Sequence, residues 1–168
     1  MTQKDSGQCL KTKMDRFKRD NSFFPPKRKY YKIFILTNDD YYFIIEKRKL
    51  YKSLLFKHIF DLDKTSGNIN NPLFLKKQNS KYVKIIIEYL DFYYNKIDFF
   101  EPPVKITYNN INYYFNNFDK KFFSKFQNLS IGELQKITKK ISYFNIYSLT
   151  QKFHFLLFFK NNQDKINN

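Results

Sequence analysis

Two short β-rich runs, Lys32 to Thr37 (KIFILT) and Tyr41 to Glu46 (YYFIIE), stand on either side of Asn38-Asp39-Asp40. A tight hairpin needs that arrangement, because Asn and Asp tolerate the left-handed backbone region that short loops between paired strands require. Order therefore begins near Tyr30, on an antiparallel pair.

Beyond the hairpin the pattern is mostly helical. Ser53 precedes LLFKHIFDLDK, in which Leu54, Leu55, Ile59 and Leu62 are spaced for one helical face. Thr65 to Asn71 (TSGNINN) reads as a loop and Pro72 to Lys76 (PLFLK) as a third strand. Asn79 or Ser80 caps the next helix, with Val83, Ile86, Leu90 and Tyr93 as its core stripe. A Pro-interrupted connection, rich in Asn and Tyr, fills Lys96 to Asn117, and a short helix is expected around Asp119 to Phe126. Ser130 and Glu133 have the spacing of a capping box. The helix they open carries Leu134, Ile137, Ile141 and Phe144 and should run to about Tyr143. Asn145 breaks it, and Ser148 to Phe159 forms a last helix. The expected fold is thus a small α/β domain over residues 30–159, flanked by a basic disordered tail (1–29) and a polar tail (160–168).

Charge matters next, because the chain carries a formal +16 from 31 Lys and Arg against 15 Asp and Glu. Such an excess suits an anionic surface or an acidic partner. Lys, Asn, Ile, Phe and Tyr also have the codons richest in A and T, so drift in an AT-rich genome accounts for much of the excess. No single run dominates the folded region, and a solvated lysine surface is the expectation there. Cys9 stands alone, which rules out an internal disulfide. The start lacks the apolar stretch of a secretory signal, and no apolar run has the length of a membrane span. A cytoplasmic or nuclear protein without membrane contact is expected.

The residues offer no assembled chemistry. His58 and His154 lie far apart, without Cys, Asp or Glu at zinc-ligand spacing. Three glycines (Gly7, Gly67, Gly132) build neither a phosphate-cradling loop nor a dinucleotide fingerprint. Asp61 and Asp63 are alternate residues and do not face each other on a helix. Most aromatics fall at core spacing, so nucleic acid is not the expected partner. The reading is a non-catalytic protein without cofactor, metal or small-molecule substrate.

Three blocks then resemble one family. KIFILTNDDYYFII with SLLFKHIFD (53–61) is similar to the opening hairpin and early helix of the S-phase kinase-associated (Skp) adaptors of cullin–RING ubiquitin ligases, and more loosely of elongin C. In that block Ser53, Lys57, Phe56, Ile59 and Phe60 match, and Leu55 replaces the family's Thr. PLFLKKQNSKYVKIIIEYL resembles the family's strand–helix unit, with Asn79, Lys84, Ile86, Ile87 and Tyr89 in register. FFSKFQNLSIGELQKITKKISYFNIYSL is similar to the next segment of the family, through Phe122, Phe126, Gly132, Leu134, Tyr143, Phe144, Ile146 and Leu149. The departures are Lys140, Ile141 and Ser142 where the family has Ala-Ala-Asn, a basic loop in place of an acidic one, and no counterpart after Phe159 to the helices that clasp the F-box.

The resemblance implies a BTB/POZ fold, with a three-stranded sheet packed against about five helices. It also implies an adaptor that links a cullin to an F-box-type substrate receptor in ubiquitin-dependent protein degradation. By position, Ser53, Lys57, Ser142 and Tyr143 would face the cullin. Leu149, Phe153, Leu156 and Phe159 would face the receptor where they are not packed on the preceding helix. The alternative is an elongin-C-like or homodimerising BTB scaffold that binds no F-box.

Overall fold

The computed structural model describes residues 31–107 and 109–163. The expected basic tail, Cys9 and the end of the polar tail lie outside them. Strands β1 (Lys32–Thr37) and β2 (Tyr42–Glu46) pair antiparallel, with Ile35 opposite Phe43 and Phe34 opposite Ile44. β3 (Leu73–Leu75) lies on the other side of β1 and parallel to it, so the sheet order is β2-β1-β3. The hairpin closes as its composition predicts. Asp40 takes φ 56°, its amide donates to the Thr37 carbonyl, and the Thr37 amide donates to Tyr41.

Alternation along β1 sends Ile33, Ile35 and Thr37 inward, where Ile45, Leu73 and Leu75 meet them. Gly67, in the loop before β3, comes against the same layer. Its carbonyl accepts from the Phe34 amide at 2.8 Å, its φ is +83°, and a Cβ there would lie 2.7 Å from Ile33 Cγ2. Only glycine suits that position.

Six α-helices follow among the described residues, one more than expected, because the single turn α1 (Lys47–Leu50) continues straight from β2 and buries Leu50. α2 (Leu54–Leu62) starts at Ser53 as anticipated but presents a different face. Phe56 and Phe60 are buried, whereas Leu54 is 51% and Leu62 90% exposed. The helix is apolar on more than one side, and the two Phe rings, one turn apart, bury the larger surface. Each is worth about 1.5–3 kcal/mol.

α3 (Ser80–Tyr93) buries the expected Val83, Ile86, Leu90 and Tyr93, and also Tyr82, Ile85 and Tyr89. Its cap is not local. The Asn79 side chain makes no capping bond, and the carboxylate of Asp39, from the hairpin turn, accepts from the Ser80 amide (2.8 Å) and hydroxyl (2.6 Å).

The connection after α3 includes a 3₁₀ turn (Ile111–Tyr114) and leads into α4 (Asn117–Ser124), capped by Asn116 and so starting before the expected Asp119. α5 (Ile131–Ser142) has the full capping box between Ser130 and Glu133. Asn145 breaks the chain at φ 51°, and α6 (Tyr147–Asn161) packs on α5.

Candidate interaction face

The residues carried over from the family resemblance fall on two elements that the fold brings together. Ser53 is fully buried at the N-cap of α2. Its Oγ accepts from the Phe56 amide and donates to the carbonyl of Phe144, which lies 91 residues away just past α5. The Leu54 amide donates to the Asn145 carbonyl at 3.3 Å, and the rings of Phe56 and Phe144 are 5.7 Å apart. The left-handed turn at Asn145 lets the chain reverse here and still offer these carbonyls to α2.

Lys57, Leu54 and Tyr143 are each exposed on the elements that meet here, Tyr143 with 44% of its area. Ser142 is half-buried, and its hydroxyl donates back to the Lys139 carbonyl. Two of the four proposed cullin contacts are therefore accessible. Ser53 and Ser142 act on backbone groups beneath them.

The four residues expected to face a receptor are placed differently. Leu149, Phe153, Leu156 and Phe159 are all buried, so none of them lines an outer surface. α6 has no distinct polar side, and its middle and its C-terminal end are both held on the core. The Phe153 ring packs edge-on against Phe123 (4.9 Å) and Phe126 (5.1 Å). At the far end, the Lys160 ammonium donates to the carbonyls of Gln127 and Leu129. The exposed residues of α6 are instead Tyr147, His154, Phe158 and Asn161. His154, Phe155 and Phe158 line a shallow depression of about 280 Å³, whose other wall is Pro102, Pro103 and Ile106.

The polar groups that sequence reasoning missed are in the interior. Lys152, 1% exposed, sends its ammonium to Asp119 (2.9 Å), Tyr89 (2.9 Å) and Tyr93 (3.1 Å), with Asp98 at 3.5 Å. Tyr89 donates to Asp98 at 2.6 Å and Tyr93 to Asp119 at 3.0 Å. Asn116 donates to the Tyr93 oxygen, and Ser148 lies 3.2 Å from that of Tyr89.

Burial pushes the Asp119 carboxyl above the usual range, against the opposing hydrogen bond and charge of Lys152. Burial likewise raises both tyrosine hydroxyls, helped by the nearby carboxylates. The cluster ties α3, the segment at Asp98, α4 and α6 into one network, with its ionic members shielded from solvent. One signal for it existed in the sequence. Lys152 falls at the spacing of Leu149, Leu156 and Phe159, a core position on a helix without a polar side.

Among the described residues, no group of three or more His, Cys, Asp or Glu is placed to hold a metal ion. No described helix is long and apolar enough to cross a membrane. No protein-family model matches the chain, and no curated protein matches it.

Proposed function

We propose that the protein is a non-catalytic adaptor of the Skp type, linking a cullin to an F-box-type substrate receptor in ubiquitin-dependent protein degradation in the cytoplasm or nucleus. The observation that supports this most is the Ser53–Phe144 junction. Two blocks singled out by their resemblance to one family, far apart in sequence, meet there, with Lys57, Leu54 and Tyr143 exposed on the joined elements. A BTB/POZ-type architecture is supported by the order of elements, a hairpin whose first strand also takes a parallel β3 after an intervening helix. Lys57 and Tyr143 would touch the cullin, with Ser53 and Ser142 as positioning residues.

The test is recovery of partners on the tagged full-length chain from cell extract. Enrichment of a cullin together with F-box proteins supports the reading, and recovery of neither overturns it.

A second reading draws on the buried state of Leu149, Phe153, Leu156 and Phe159, which removes the expected receptor contacts. It makes the chain an elongin-C-like or self-associating scaffold that binds no F-box. Sedimentation velocity separates the two: a stable homodimer that leaves an F-box peptide unbound favours the scaffold.

A further inference from the structure

Lysines that are scattered in sequence gather in space where α3 lies beside α5. Lys140 donates to the carbonyl of Lys77 at 3.1 Å, and the charge of Lys81 is felt by the Glu133 carboxylate. These two links set the row Lys77, Lys81, Lys84 alongside the row Lys136, Lys140. Lys77, Lys81, Lys84 and Lys136 are exposed and Lys140 is half-buried. Lys81 and Lys84 on α3, and Lys136 and Lys140 on α5, are three or four residues apart and so stand on one side of each helix, about 5–6 Å between Cβ atoms, while Lys77 lies in the turn before α3.

None of the five forms a salt bridge with a described residue, although the Glu133 carboxylate lies near enough to Lys81 to feel its charge. Glu88 pairs with Lys125, Asp91 pairs with Lys49, and Glu133 accepts from the Ser130 amide and hydroxyl. Asp39, at the start of α3, is bonded to Ser80 and Thr37. Glu133 keeps its charge beside Lys81 and three residues before Lys136, so the band is predominantly, not uniformly, positive. Such a band gives selectivity and faster encounter with a partner of the opposite charge.

We infer that the ridge formed by Lys77, Lys81, Lys84, Lys136 and Lys140 is a docking surface for an acidic polypeptide segment. The ridge holds no arginine for bidentate phosphate contact and no aromatic between its lysines for base stacking, which separates it from a nucleic-acid surface. Ile131, exposed in the first turn of α5, adds an apolar contact of the kind a peptide side chain uses. None of the five lysines is among the proposed cullin contacts, so the inference stands apart from the adaptor reading.

The experiment is fluorescence anisotropy on the full-length chain, with a labelled poly-glutamate peptide and a labelled single-stranded oligonucleotide of equal length as probes. The ridge variant is Lys81→Gln/Lys84→Gln/Lys136→Gln. The control, Lys64→Gln/Lys105→Gln/Lys120→Gln, removes the same charge from exposed lysines elsewhere. Thermal melting verifies folding, and the single variant Lys84→Gln serves if the triple is unstable. The peptide should bind about tenfold more weakly to the ridge variant and within about twofold of wild type to the control. Equal losses in the two triple variants would overturn the inference. So would tighter binding of the oligonucleotide than of the peptide, lost on the same ridge substitutions.

Discussion

Lys152 is held by partners on three segments, and its removal leaves Asp119 and Asp98 in the interior facing the tyrosine hydroxyls without its ammonium. Breaking a buried pair from one side typically costs about 3–5 kcal/mol. Lys152→Met should therefore lower unfolding stability by roughly that amount in urea titration at neutral pH. The double variant Lys152→Met/Asp119→Leu should be less destabilised than the sum of its singles, because it removes the orphaned charge as well. The pH dependence has a definite sign. The folded-state pKa of Asp119 already lies above its ordinary value, and without the ammonium it rises further. As pH falls, the folded variant takes up the proton before the unfolded chain does, so its deficit against wild type should shrink from pH 7 to pH 5. Gly67 is the other residue whose identity is dictated by its surroundings. Gly67→Ala forces a methyl into Ile33 at a backbone angle that L residues rarely adopt, and should cost about 1–3 kcal/mol in the same titration.

At the level of elements, most of what was legible came from local chemistry. The β1–β2 turn, the Ser53 cap, the Ser130–Glu133 box and the break at Asn145 are each set by side chains within a few residues of the backbone they satisfy. α3 shows where such reading stops. Its cap comes from Asp39, 41 residues earlier, so a search around Asn79 and Ser80 could not find it. The face of α2 was misread for a related reason. Periodicity ranks apolar positions by spacing, while the core selects the larger rings of Phe56 and Phe60. The distant cap has an acid signature. Hydrogen bonds from the side chains of Ser80 and Thr37 hold the Asp39 carboxyl down at about 2, against an ordinary 3.8. A carboxyl with a depressed folded pKa stabilises above its unfolded value and loses that contribution as pH falls toward its folded one. Thermal melts should thus show wild type losing more stability than Asp39→Asn between pH 4 and about 2. Glu133 and Asp63, also held low by hydrogen bonds, keep some acid sensitivity in both proteins.

For the molecule as a whole, position along the chain does not tell which side chains are exposed. The strand half and the helical half meet at Ser53 and Phe144. Which side chains face water there depends on how α5 and α6 pack, and no linear spacing encodes that. Leu149, Phe153, Leu156 and Phe159 consequently went to the core, and the lysine ridge, assembled from segments some 60 residues apart, left no run to notice. The junction lets stability and recognition be separated by two substitutions. Ser53→Ala removes the donor to the Phe144 carbonyl and the acceptor for the Phe56 amide, both buried. It should cost about 1–3 kcal/mol. Tyr143→Ala trims an exposed ring and should leave stability within about 0.5 kcal/mol. If this junction binds a cullin, Tyr143→Ala loses the cullin in a pull-down while melting like wild type, and Ser53→Ala melts earlier but still recovers it below its transition. Undiminished recovery with Tyr143→Ala and Lys57→Glu combined would move the cullin contact away from this junction altogether.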